Sequence, residues 1–500
     1  MGAGGWLEQR RVAAIVAIAM LPAALLLVLV LRATGGVFIY SLDDPYIHLA
    51  LARSILHGTY GLNPGELSAP ASSIVWPFLL APFAALPERL FELVPLAANL
   101  GLLAASLAVL LRLLPAGMDR RFALPLLLLL AWGLNLYGLV FTGMEHSLQL
   151  MLVLVGLEAF FSRPVDGTPR PTRFYVALAL LPLVRYEGLA LSLALLGVQF
   201  LRGDRRRTIL AGAVALAGVA GFSLFLHGLG LGWLPYSVIA KSTATGVEPA
   251  GLARLWQNVT LHVGLFAGGV AAAALFVRRD PLLAAALLGF TLLHFAFGRF
   301  GWFGRYETYW VATVAVIAMR HPLAARLPGT IALLGFVLVL SDLHTATDLT
   351  PRETRAIWSQ QGQMGRIARI LDRPVAVNDL GLVAFRSRRH VLDLFGLSSG
   401  EALQARLASP RDSRWIAPMM ARHGIRHLMI YPDWFPNPPP DWIRVANLVV
   451  PDKMVLDSTT VGLFATDPAA AQDMRAALAA YHQCCVTPAA RIVLLPPPPS

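Results

Sequence analysis

Charge is scarce in this sequence. Only 14% of its 500 residues are charged, which excludes an ordinary soluble globular protein. Cysteine is nearly absent: Cys484 and Cys485 stand side by side near the end. That spacing offers neither a zinc-ligand pattern nor a disulfide framework, and adjacent cysteines rarely bridge each other, so an unbridged pair without functional signal is expected. No HExxH, P-loop, GxSxG or paired CxxC motif occurs. Their absence weighs against a metalloprotease, an ATPase, a serine hydrolase and a zinc module. Acids are outnumbered by bases, 29 to 41, giving a net charge of +12. A nucleic-acid partner is still not expected, because the bases, mostly arginine, sit in short breaks between apolar runs.

Apolar residues are what the chain has in abundance: 56% are hydrophobic and the mean hydropathy is +0.62. Together with the basic breaks this predicts an α-helical polytopic membrane protein embedded in a lipid bilayer. The run Val12–Leu31 after Arg10 and Arg11 is too long for a signal-peptide core and reads as an uncleaved anchor with a cytoplasmic N-terminus. Further spans are predicted near 91–114, 122–141, 146–162, 208–229, 256–277, 281–298, 308–319 and 327–342. The short run 72–86 is placed flat on the outer surface, because that choice puts both following arginine clusters inside. Residues 174–201 would make a helix of roughly 42 Å, with Arg185-Tyr186-Glu187-Gly188 at its costly centre. Two half-length helices with that tetrapeptide at an outward apex resolve the conflict. The total is about 11 transmembrane helices with the C-terminus outside.

Composition changes beyond Asp342. A polar helix and short strand-like runs at Val375–Val377, His390–Leu394, His427–Tyr431, Trp442–Val450 and Thr460–Ala465 predict a small extracytoplasmic α/β domain. The expected division is 1–343 for the transmembrane domain, with an outer loop at 33–90, then 344–490 for the α/β domain and 491–500 for a Pro-rich tail.

Chemistry-bearing residues gather in the segments assigned to the outside. Asp43 and Asp44 stand together in the first loop, with Tyr46, His48 and Arg53 after them. Two neighbouring carboxylates beside a membrane need water, a partner or a cation. Glu145 and His146 join two spans, Arg185 and Glu187 mark the apex, Tyr236 and Lys241 lie in one long loop, and Arg299, Arg305, Tyr306 and Glu307 in another. Each has a plainer reading. Asp-Asp-Pro starts helices, with Pro45 in the first turn and an acid capping free amides. Glu145-His146 caps a helix equally well, Arg185 and Glu187 neutralise each other, Lys241 snorkels, and Arg305–Glu307 anchors a helix end.

The run Asp43-Asp44-Pro45-Tyr46-Ile47, then Leu51-Ala52-Arg53 and Gly61-Leu62-Asn63-Pro64-Gly65-Glu66, resembles the first outer loop of GT-C membrane glycosyltransferases. The arabinofuranosyltransferase and protein mannosyltransferase-like group is the nearest in pattern. Gly143-Met144-Glu145-His146, Arg185-Tyr186-Glu187-Gly188, Leu234-Pro235-Tyr236-Ser237 with Ala240-Lys241, Asn378-Asp379-Leu380-Gly381 and Asp393-Leu394-Phe395-Gly396-Leu397 resemble further elements of that group, in its order. The aromatic stretch that follows in the family is replaced here by Ser68–Trp76. The resemblance implies inverting sugar transfer from a polyprenyl-phosphate donor to a glycan, lipid or protein acceptor of the cell envelope, at a bacterial inner membrane. In it Asp43 is the base, Asp44 orients the acceptor or holds a divalent cation (Mg, Mn or Ca), and the two roles are exchangeable. Lys241 and Arg305, then Arg185, balance the leaving phosphate. Tyr46, His48, Arg53, Glu145, His146, Glu187, Tyr236 and Glu307 complete the expected substrate-binding set. A lipid-linked substrate transporter or flippase with a periplasmic domain is the competing reading, since broken helices with charges at their centre suit it too.

Overall fold

The computed structural model describes residues 3–496 apart from 116–117, 164–168, 243–250, 410–411, 436–437, 452, 455, 486 and 488–489. The chain is mostly helical up to residue 371, and a mixed sheet with covering helices follows. Among the described residues, three helical segments are long and apolar enough to cross a membrane: Gln9–Ala33, Glu88–Leu113 and Arg205–Gly228. A fourth is added if Leu252–Leu261 and Val263–Phe276, bent by 101°, count as one span. The other apolar helices are shorter, among them His146–Phe161, Pro281–Phe297 and Thr308–Met319.

Several runs that read as continuous are interrupted. The 122–141 run divides into Ala123–Gly133 and Leu136–Phe141 at Asn135, whose φ of 56° is left-handed. Asn135 tolerates that conformation because its side chain is fully used: Nδ2 donates to the Phe303 carbonyl (2.9 Å) and Oδ1 accepts from Thr347 Oγ1 (2.9 Å). Apolar periodicity carries no trace of such a break. Charge does carry one. The 174–201 run is Thr172–Val184 and Gly188–Leu201, parted at Arg185–Glu187, and Ser192 Oγ donates to the Leu178 carbonyl (2.7 Å) to tie the arms together. Residues 72–86 hold only Trp76–Leu80 and the 3-10 turn Ala81–Ala85, about 15 Å of helix, half of what a crossing needs.

The C-terminal domain holds a six-stranded sheet: β1 Val375–Val377, β2 Val391–Asp393, β3 His427–Ile430, β4 Ile443–Val449, β5 Thr460–Ala465 and β6 Arg491–Leu494. Its order is β2-β1-β3-β5-β4-β6, with the first three strands parallel and the others antiparallel. Side chains alternate between faces. Val375, Val377 and Met429 meet helices Gln361–Leu371 and Pro468–Cys484 on one face. Ala376, Leu428 and Ile430 meet Gly400–Ala408 and Ile416–Arg422 on the other. With both faces covered, β1 is apolar throughout, as parallel strands are. β6 draws four residues from the stretch the sequence assigns to the tail; the prolines after it have no amides with which to continue the ladder. The cysteine expectation is corrected: Cys484 and Cys485 are bridged. Helix Pro468–Cys484 ends between them, so Cys485 is released from helical geometry (φ −139°).

The C-terminal domain is seated on the helical part through helix Gly381–Arg386, which lies against helix Asp44–Leu56. A Cβ at Gly381 would fall 2.0 Å from the Asp43 carbonyl oxygen, so glycine is what lets the two backbones meet. Arg386 pairs with Glu88 and Glu92, both at 2.6 Å, while Arg369 (3.0 Å) and Arg53 (3.6 Å) also reach Glu88. Phe385 packs on Tyr46 and Phe91, under the Arg53 guanidinium. Asn63 acts as a surrogate strand for β2, accepting from Val391 N–H (2.9 Å) and donating to Val391 C=O (3.0 Å). Glu92 is buried, so Arg386→Ala strands a carboxylate. The expected loss is about 2–3 kcal/mol, read as a lower thermal midpoint of the purified protein with unchanged helical signal.

Candidate active site

The two acids that open helix Asp44–Leu56 are aimed differently. Pro45 occupies the first turn, as expected, yet the Asp43 side chain does not cap its own helix. Its two oxygens accept the N–H groups of Gly381 (2.6 Å) and Leu382 (2.8 Å), so it caps helix Gly381–Arg386 of the C-terminal domain. Asp44 points the other way, to Arg305 Nη2 at 2.5 Å, and 19% of its side chain remains exposed. Gly143 brings the next piece in. Its φ is +67°, and a Cβ there would strike the Tyr40 ring at 2.7 Å and Pro45 at 2.9 Å. The Thr142–His146 turn can therefore lie directly against the Asp-Asp-Pro turn.

Behind that turn Glu145 is fully buried and accepts from Arg185 Nη1 (2.9 Å), with His48 Nε2 3.7 Å away and Ser72 Oγ donating at 3.3 Å. Arg185 also forms a fork with Glu187 at 2.7 and 3.2 Å. Two acids around one guanidinium satisfy the charge that the helix break exposes. The ring of Tyr306 lies at the hub. Three guanidinium carbons surround its centroid: Arg305 at 4.9 Å, Arg185 at 5.4 Å and Arg299 at 5.9 Å. His146 approaches the same ring to 5.9 Å. Carboxylates balance Arg185 and Arg305. Arg299 has none within ion-pair distance among the described residues, and Arg305 Nε and Nη1 make no hydrogen bond.

Tyr306 and Arg299 together form a wall between two cavities. The one beneath the C-terminal domain, about 270 Å³, is lined by Asp43, Asp44, Asp379 and Asp457 with Trp302 and Trp434. The other, about 330 Å³, is mostly apolar, with Arg185, Glu187 and Arg254 among Leu189, Leu193, Leu293 and Phe297. Burial, then repulsion from Asp379, raises the Asp43 carboxyl to about 8 against the pull of the two amides. Burial likewise raises Asp379 to about 6, opposed by hydrogen bonds from Tyr431 and Gln361.

The structure thus gathers Asp43, Asp44, His48, Glu145, His146, Arg185, Glu187 and Arg305 around one hub. Tyr46 and Arg53 belong instead to the seat of the C-terminal domain. Tyr236 packs against Gly400, and its N–H donates to the Ala69 carbonyl. Lys241 is in helix Tyr236–Ser242, but its side chain lies outside the described residues. Glu307 faces a different cavity, where it accepts the Gly301 N–H. Among the described residues no three His, Cys, Asp or Glu side chains converge as a metal set. With Asp44 on Arg305 and Asp43 on two amides, the residues here do not fit a divalent cation.

Trp302, Tyr431, Trp434 and Asp457 escaped the sequence-based set, whereas Arg299 lies in a candidate loop and Asp379 in a motif of the resemblance. Topology supplies a signal for Tyr431: it follows the carboxyl end of the parallel strand β3, as Asn378 and Asp379 follow that of β1, where open α/β sheets carry ligands.

A family profile described as a domain of unknown function (DUF8728) matches residues 354–472. No curated protein matches the chain. Among solved structures the chain is similar to the Archaeoglobus fulgidus oligosaccharyltransferase in the apo form, at 12% identity and a TM-score of 0.45, over 89% of this chain and 74% of that one. It is also similar to the archaeal oligosaccharyltransferase AglB from Archaeoglobus fulgidus in complex with an inhibitory peptide and a dolichol-phosphate (12%, 0.44, 99% and 77%). The Archaeoglobus fulgidus enzyme complexed with Zn and sulfate gives 12%, 0.46, 91% and 73%.

The two raised carboxyls set a pH dependence. An unfolded aspartate loses its proton near pH 4, whereas folded Asp43 keeps one until about pH 8. The folded protein then binds more protons across that window, so stability falls as pH rises through it. The thermal midpoint in detergent is expected to drop from pH 5 to 9, and Asp43→Asn to flatten the upper part of the slope. An unchanged slope in that variant would assign the effect elsewhere.

Proposed function

We propose that this chain is a GT-C-type membrane glycosyltransferase that moves a sugar from a polyprenyl-phosphate donor to an envelope acceptor, with inversion. The observation that carries this reading is the ring of Tyr306 with its three guanidiniums, set in the wall between an apolar cavity and an acid-rich one. A phosphate at that wall would meet Arg299 and the unused nitrogens of Arg305, and its lipid tail would extend into the apolar cavity. The acceptor hydroxyl would enter from the acidic side.

Asp44 is the base in this scheme, because the Asp43 oxygens are both engaged by main-chain amides. The carboxylate of Asp44 takes the hydroxyl proton as the acceptor oxygen bonds to the anomeric carbon. The bond from that carbon to the phosphate oxygen breaks on the opposite face, and the lipid phosphate leaves. A phosphate is a weak base, so its departure needs positive charge more than a general acid. Arg185, Glu145 and Glu187 hold the wall, and the sugar hydroxyls meet Glu187 and His146. Lys241 is assigned to the phosphate from the sequence resemblance alone.

In the same reading about 11 crossings, several made by short or broken helices, place the N-terminus in the cytoplasm and the outer domain beyond a bacterial inner membrane. Asp44→Asn is expected to insert normally and to lose sugar transfer by about 10²–10⁴-fold. Arg299→Ala is expected to lose about 10²–10³-fold. Both are measured by mass spectrometry of envelope glycans and polyprenyl-phosphate sugars in a complemented deletion strain. Normal glycan with Asp44→Asn would overturn the mechanism, and cargo stranded on the inner face would point to a transporter.

A further inference from the structure

The acidic cavity carries more than a base. Asn378 and Gln361 line it, and each is only 3% exposed. Asn378 uses Oδ1 to accept the Tyr431 N–H (2.7 Å), which leaves Nδ2 without a partner. Gln361 donates through Nε2 to Asp379 (2.8 Å), which leaves Oε1 without one. A buried amide donor and a buried amide acceptor thus belong to residues of one lining, neither with a protein partner. Asp379, already holding Tyr431 and Gln361, adds carboxylate acceptor capacity beside them.

Aromatic rings complete the lining. Trp434 stands 5.4 Å from Phe395 and 5.3 Å from Tyr431, centroid to centroid, and Trp302 projects from the opposite loop, 55% exposed. Rings beside fixed amides and carboxylates are complementary to a ligand with apolar C–H faces and a rim of hydroxyls. Charge narrows the class further. Four aspartates line this cavity, Asp43 holding its proton and Asp44 lying on Arg305, and the cation in the lining is Arg299 on the far wall. Asp379 and Asp457 remain to disfavour a phosphorylated or uronic ligand. A peptide in extended form would pair with main-chain donors and acceptors at a sheet edge, whereas the groups offered here are side chains at strand ends.

We infer that the outer domain reads the acceptor, and that its cavity binds the ring of an uncharged saccharide stacked on Trp434, with hydroxyls at Asn378, Gln361 and Asp379. This inference rests on the two-cavity reading above and names its acceptor class. Trp434 and Asn378 act by binding, away from the bond that forms.

The test uses the full chain in lipid nanodiscs, free of sugar-headed detergent. Saturation-transfer NMR is recorded with four probes: methyl α-arabinofuranoside, methyl α-mannopyranoside, glucose 6-phosphate and a serine-rich hexapeptide. Farnesyl phosphate binding is measured separately as a probe of the apolar cavity. At least one neutral methyl glycoside is expected to bind through its ring protons. Trp434→Ala should weaken it about tenfold, and Trp434→Phe should restore most of the signal. Asn378→Ala should weaken it with farnesyl phosphate binding unchanged. Preference for the phosphorylated sugar or the peptide, or equal glycoside binding with Trp434→Ala, overturns the inference. Farnesyl phosphate bound with no glycoside bound defeats this inference alone. Glycoside bound through Trp434 without farnesyl phosphate upholds it and defeats the donor reading instead.

Discussion

Everything at this site depends on one carboxylate reaching across a seam. Asp43 belongs to the first loop, but its oxygens cap the start of a helix more than three hundred residues later, in a domain with its own sheet and cores. The Arg386–Glu88–Glu92 cluster reinforces the joint a short distance away. Remove the joint and there is no acidic cavity, because one wall is the Asp-Asp-Pro turn and the other is the carboxyl end of the sheet. The cost of burying those charges is offset only while each has its partner from the opposite side.

The wall between the cavities organises charge in the perpendicular direction. Tyr306 separates a side dominated by aspartate from a side dominated by leucine and phenylalanine. Guanidiniums line up along its ring, two of them compensated and Arg299 not. The proposed reaction, between a lipid-borne leaving group and a water-borne nucleophile, would need such a boundary, since each reactant is poorly solvated in the other's compartment.

Where the sequence was readable, cost made it so. Arg185 and Glu187 inside an apolar run are too expensive for a continuous helix, and the break falls there. Strands β1 and β5 begin and end where alternation and turn residues put them. Asn135 was silent because one left-handed residue leaves hydrophobic spacing intact. The bridging of Cys484 to Cys485 depends on where a helix stops, and β6 on a partner strand forty residues earlier. Long-range partners were the main blind spot. Nothing local says that Asp43 would serve a helix at 381, or that Trp434 and Asp379 would face Asp44. Local pattern gives elements, while a site made between two domains is decided by how they dock.

Gly381 turns that docking into a matter of clearance. The main chain of the C-terminal domain touches the main chain of the first loop with no side chain as a cushion, so even one methyl would lift the whole ceiling off the aspartates. Fit at a single point thereby governs the width of the cavity beside it. Lineages of this chain can then change the loop or the domain only in step with each other, as two halves of a mould must be recut together.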